Sequence, residues 1–115
     1  MSDVPDVSDD GFVDAAPTDW LEPGETATVD VEGTPVTLAN ADGSWCAYQH
    51  MCPHQATPLG GVPLMRKRLV QCPEHGSVFD VMTGECLMPS QDGWSGPMQT
   101  YQTRVVDDVV QVSLG

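Results

Sequence analysis

The chain has 115 residues, 40% of them hydrophobic, and a formal net charge of −13. That length suits one domain with one modest core. The charge argues against nucleic acid and anionic membranes as partners, since both would repel it. Gly 11 and Pro 10 are spread without a period, which favours a turn-rich β domain over a helical or collagen-like one. No apolar run approaches the roughly 20 residues of a membrane helix. The start, "MSDVPDVSDD", lacks the basic and apolar stretches of a secretion signal. A cytoplasmic protein is expected, with cysteines serving as free thiols or metal ligands.

In chain order, residues 1–10 read as a short acidic flexible tail with little to bury. The folded domain is expected over 11–115. "TATVDVEGTPVTLA" alternates apolar and polar residues about Glu32-Gly33, which predicts a β-hairpin. Asp42-Gly43 is a second turn signal, followed by a strand at "WCAYQ". "RLVQC" predicts a short strand, and "SVFDVMTGECL" a hairpin turning at Thr83-Gly84. "YQTRVVDDVVQVSL" predicts two strands about Asp107-Asp108. No window holds a 3.6-residue period. The expectation is an antiparallel all-β domain of roughly eight to ten short strands.

Two stretches carry chemistry. "CPHQATPLGG" begins at Cys52, and "CPEHGSVFD" begins at Cys72. They give Cys52-x-His54 and, after seventeen intervening residues, Cys72-x-x-His75. Two thiolates and two imidazoles form a soft four-ligand set. It suits tetrahedral zinc, or a [2Fe-2S] cluster in which two His replace two Cys on one iron. The distribution favours the second. Zinc fingers usually pair Cys with Cys and His with His, whereas here each loop supplies one of each. Pro53 and Pro73 stiffen the chain beside each thiolate. Gly60-Gly61 and Gly76 permit close backbone approach. His50 is the one rival ligand. Cys46 and Cys86 read as buried free thiols, and Trp20, Trp45 and Trp94 as packing residues. No nucleophile–base pair, phosphate loop or dinucleotide motif is present.

These loops resemble those of soluble Rieske ferredoxins, and the resemblance runs from about Phe12 to Leu114. It implies an antiparallel Rieske-type [2Fe-2S] domain of stacked sheets or a partly open barrel. The cluster-binding part, about 46–92, would be two hairpin-like loops. It implies one [2Fe-2S] Rieske cluster, with Cys52 and Cys72 on one iron and His54 and His75 on the other. Pro53, Gln55, Gly76 and Ser77 would surround it, with Pro89 in a third, shielding loop. The narrower stretch "AYQHMCPHQ" resembles the ferredoxin component of multicomponent diiron toluene and alkene (isoprene) monooxygenases. That likeness implies a non-catalytic electron carrier, monomeric with transient complexes. It would take electrons from an NADH-dependent flavin/iron-sulfur reductase and pass them to a diiron hydroxylase. A ferredoxin of an aromatic-ring-hydroxylating dioxygenase is the nearest alternative. A fixed subunit of an enzyme such as nitrite reductase and a structural zinc domain are the others. High-potential members carry an extra disulfide, whose positions match Thr57 and Glu74 here. They also carry a Tyr where Phe79 stands. A potential in the lower half of the roughly −150 to +300 mV Rieske range is therefore expected, raised somewhat by Ser77.

Overall fold

The computed structural model describes residues 11–53, 57–74, 76–91, 93 and 96–114. The expected tail at 1–10 lies outside them. Nine strands run in order: β1 (Phe12–Pro17), β2 (Thr26–Val31), β3 (Thr34–Ala41), β4 (Ser44–Gln49), β5 (Leu69–Gln71), β6 (Val78–Asp80), β7 (Cys86–Met88), β8 (Thr100–Val106) and β9 (Val109–Ser113). Every ladder is antiparallel. There is no helix among the described residues. Six strands form one sheet in the order β1-β9-β8-β4-β3-β2, and β5-β6-β7 form a second. The two edges of the large sheet, β1 and β2, pack beside each other without a ladder, so the sheet curls nearly into a barrel.

The hairpin turns fall where the turn residues predict. Glu32-Gly33, Asp42-Gly43 and Asp107-Asp108 each place two consecutive residues at positive φ, which matches the right-handed twist of the flanking strands. Arg66-Lys67 does the same without a glycine (φ 50° and 73°). β1 is the strand that the sequence pattern does not announce. It ends in Pro17 and carries a bulge between Asp14 and Ala16. Its partner β9 lies at the far end of the chain, so the pairing is set by tertiary contact rather than by local pattern.

The period-2 alternation of β3 and β4 sorts their side chains into two cores. Val36, Leu38 and Ala47 fill the barrel with Val31, Val110 and Val112. Ala39, Ala41, Cys46 and Tyr48 face the opposite way. There they meet Val70, Phe79 and Val81 of the small sheet. Each fully buried apolar side chain contributes about 1.5–3 kcal/mol. The second core is therefore what holds the small sheet, and the loops it carries, against the barrel. Trp45 packs on the barrel core as expected. Trp20 does not pack as expected: it is 44% exposed. Trp94 lies outside the described residues.

Candidate metal centre

The two Cys/His stretches form two loops with the same frame. Cys52 donates its amide to the Thr57 carbonyl at 2.8 Å, and Cys72 donates its amide to the Ser77 carbonyl at 2.8 Å. Each bond joins a cysteine to the residue five positions on, enclosing 53–56 in one loop and 73–76 in the other. Met51 and Pro58 form a bridge at the neck of the first loop, and Leu59 donates to the His50 carbonyl at 2.8 Å. Gln71 pairs with Val78 at the neck of the second. The Gly76 amide also donates to the Cys72 carbonyl at 3.0 Å, with Gly76 at φ 80°. A side chain there would be strained.

Both cysteines stand at the hairpin necks and point into the interlayer core, Cys52 at 4% and Cys72 at 1% exposure. Leu59, Val70 and Phe79 belong to the same core. Both are free thiols. The loops are anchored from below. Thr26 Oγ1 donates to the Val62 carbonyl and accepts from the Gly61 amide, each at 2.9 Å, which ties the end of the first loop to β2. Gly60 lies so close to Thr28 that a Cβ would collide with it. Gln49 Nε2 donates to the Met51 carbonyl, and its Oε1 accepts from the Gln99 amide, each at 2.7 Å. Entry to the first loop is thereby joined to the exit of the 89–98 segment.

The structure places the remaining predicted residues unevenly. His54, Gln55 and His75 lie outside the described residues. Pro53 is half-buried at the first neck, and Ser77 is fully buried at the second. Pro89 is exposed, Ser90 beside it is buried, and Gln91 shares an open groove of about 470 Å³ with Met65, Cys72, Pro73 and Glu74. His50, the rival ligand, has Nδ1 3.2 Å from Thr28 Oγ1, which commits its ring to β2. Cys46 and Cys86 are not joined. Burial, then the Asp80 charge, pushes the Cys46 thiol up to about 11. Cys86 is only half-buried, and its Sγ donates to the Met88 carbonyl at 3.3 Å.

One feature of the site could not be read from the sequence. Among the described residues, two buried side-chain polar atoms have no hydrogen-bond partner: Ser77 Oγ and Tyr48 Oη. An orphaned buried hydroxyl costs about 1–3 kcal/mol. Ser77 follows the second loop directly, and Tyr48 shares the core with both cysteines. Burial, above all, drives the Tyr48 phenol well above its usual range, so it stays a donor. Two buried thiols with donor hydroxyls lacking acceptors fit a polar, sulfur-bearing group.

Comparison with known proteins agrees. A family model for the Rieske [2Fe-2S] domain matches residues 11–102. The chain is 32% identical over 97 residues to the ferredoxin component of the naphthalene 1,2-dioxygenase/salicylate 5-hydroxylase systems of Ralstonia sp., covering 83% of this chain and 92% of the relative. It is 38% identical over 65 residues to apoptosis-inducing factor 3 of mouse and human, 56% of this chain but only 11% of those much longer proteins. The fold superposes on the ferredoxin of carbazole 1,9a-dioxygenase from Nocardioides aromaticivorans IC177 with a TM-score of 0.77 and 26% identity, covering 89% and 96% of the two chains. The chain belongs to the Rieske [2Fe-2S] domain family, whose fold and cofactor its two sheets, paired cysteine loops and orphaned hydroxyls accommodate.

Proposed function

We propose that this protein is a one-electron carrier that delivers electrons to the oxygenase component of an aromatic-ring-hydroxylating dioxygenase system. The observation that carries the reading is the pair of identically closed loops, each placing a buried thiol at its neck beside hydroxyls that lack acceptors. In it, Cys52 and Cys72 hold one iron of a [2Fe-2S] cluster, and His54 and His75 hold the other. Such a cluster, when bound, takes up and releases one electron at a time. The protein's own part is positional. The core packing around Cys52 and Cys72 keeps water from the thiolates, and Ser77 offers a donor to a sulfur.

The ferredoxin names of the relatives and the match over most of their length support the dioxygenase assignment over the diiron one. The stretch "AYQHMCPHQ" is the specific observation that keeps a diiron hydroxylase as the second reading. In either case an NADH-dependent reductase supplies the electron. Partners dock at the loop face, where Met51, Pro73, Glu74 and Pro89 are exposed. The net charge of −13 suits a basic docking surface and salt-sensitive exchange.

The test is an electron paramagnetic resonance spectrum of the dithionite-reduced protein, with iron and zinc assayed on the same sample. A two-iron signal with average g about 1.9, typical of histidine-ligated clusters, supports the carrier. One zinc and no iron refutes it. Stopped-flow oxidation by purified ring-hydroxylating oxygenase, compared with diiron hydroxylase, then separates the two partner readings.

A further inference from the structure

The ladder between β4 and β8 ends at the pair Tyr48–Thr100, and the next pair breaks its pattern. Gln49 donates its backbone amide to the Gln99 carbonyl at 3.0 Å. In a regular antiparallel pair the return bond would run from the Gln99 amide to the Gln49 carbonyl. Instead the Gln99 amide donates to Gln49 Oε1 at 2.7 Å, and the Gln49 carbonyl accepts from Thr37 Oγ1 at 3.2 Å. The side chain of Gln49 therefore stands in for the ladder, and its Nε2 donates to the Met51 carbonyl at 2.7 Å. Met51 directly precedes Cys52. From Gln99 the connection continues through its neighbour. The Met98 amide donates to the Gly84 carbonyl at 2.8 Å, and the Gly84 amide to the Asp80 carbonyl at 2.7 Å. Asp80 belongs to β6, which pairs with β5, and β5 leads directly into Cys72.

We propose that Gln49 is a positioning residue for the cluster: its side-chain amide straps the first cysteine loop to the small sheet that carries the second, and so fixes the register in which Cys52 and Cys72 address one iron. The inference rests on the ligand set proposed above. The two loops come from different sheets, and the core between those sheets is apolar. Burial is non-directional, so apolar packing fixes the separation of the sheets better than their slide. Hydrogen bonds carry direction and resist that slide. Within the strap, Gln49 is the side-chain link, and the remaining bonds join backbone to backbone. Its two ends do different work, the nitrogen donating and the oxygen accepting. A side chain of the same length with neither function would leave the Met51 carbonyl and the Gln99 amide unjoined.

The experiment follows the loss of visible absorbance under excess EDTA, without oxygen, in cluster-loaded wild type, Gln49→Met and Thr103→Val. Methionine keeps the length of glutamine, cannot donate and accepts only weakly. Thr103→Val is the control. It removes the 2.7 Å bond from Thr103 Oγ1 to the Trp45 carbonyl, on the same β4–β8 seam but away from both loop necks. Both variants should melt earlier than wild type. With two hydrogen bonds lost, Gln49→Met should bleach about tenfold faster than wild type, and the g values of its reduced cluster should move. Thr103→Val should bleach within twofold of wild type, with its g values in place. A Gln49→Met rate within twofold of wild type, or equal to that of Thr103→Val, overturns the proposal. Should Gln49→Met fail to load, Gln49→Glu keeps the acceptor for Gln99 and loses only the donor. It should also bleach faster than wild type, and a rate within twofold overturns the proposal equally. Failure of the ligand set is a separate result: a wild type with no two-iron signal, or a Cys52→Ser variant that keeps its cluster.

Discussion

Replacing Thr26 by valine keeps the shape of the side chain and removes only its hydroxyl. That hydroxyl makes two hydrogen bonds, to the Val62 carbonyl and from the Gly61 amide, both at 2.9 Å and both spanning more than thirty residues of chain. The residue is 8% exposed, so water replaces neither bond fully. Each bond contributes about 1 kcal/mol net, and leaving the two backbone groups partly buried without partners adds to the loss. The expected cost is about 2–3 kcal/mol. For a domain of this size that lowers the melting temperature by about 10 °C. The end of the first cysteine loop also loses its tie to β2, so cluster absorbance should bleach faster than in wild type. The assay is a thermal melt of the cluster-loaded protein, followed by circular dichroism and visible absorbance together. Thr26→Ser, which retains the hydroxyl, should recover most of the loss. A Thr26→Val loss below about 0.5 kcal/mol, or a serine variant falling as far as valine, would refute the clamp.

Cys52→Ser and Cys72→Ser should each abolish cluster assembly, seen as lost visible absorbance and iron, while Cys46→Ser and Cys86→Ser leave the spectrum intact. Gly84 holds φ 82° and sits against the Met98 carbonyl, to which a Cβ would come far too close. Gly84→Ala should therefore destabilise by about 2–4 kcal/mol in urea unfolding, from left-handed strain plus displacement of that carbonyl. Burial alone would raise the Asp80 pKa. The Arg68 hydrogen bond (3.0 Å from Nε) and the Met82 amide outweigh it and hold the carboxyl below its usual range. A depressed folded pKa gives stability that is present above the unfolded pKa and lost as pH falls through the folded one. Unfolding free energy should thus drop below about pH 4, with a shallower slope in Asp80→Asn. An unchanged slope would exclude Asp80 as its source.

The sequence made most of the strands legible because their signals are local. Glu32-Gly33, Asp42-Gly43 and Asp107-Asp108 place turns, and alternation fills in the strands on either side. β1 escaped because its reason for existing is β9, nearly the whole chain away. The Cys/His spacing made a Rieske [2Fe-2S] domain legible, because metal chemistry restricts residue type as well as distance, and the family model matches residues 11–102. Its supports were not legible. Nothing in the order of residues says that Thr26 would reach Gly61, that His50 would turn to Thr28, or that Trp20 would stay at the surface. Least legible was Tyr48, singled out by a missing hydrogen-bond partner, a property that exists only once the surroundings are folded.

Cys52 and Cys72 are wall residues of the core that joins the two sheets. With the proposed ligand set, filling the centre and consolidating the fold would be one equilibrium rather than two. A newly made chain awaiting iron would leave the interlayer surfaces of Tyr48, Phe79 and Val70 loosely packed and open to proteases. The abundance of this protein would then follow the supply of iron and sulfide, because chains that fail to load are the ones that are cleared.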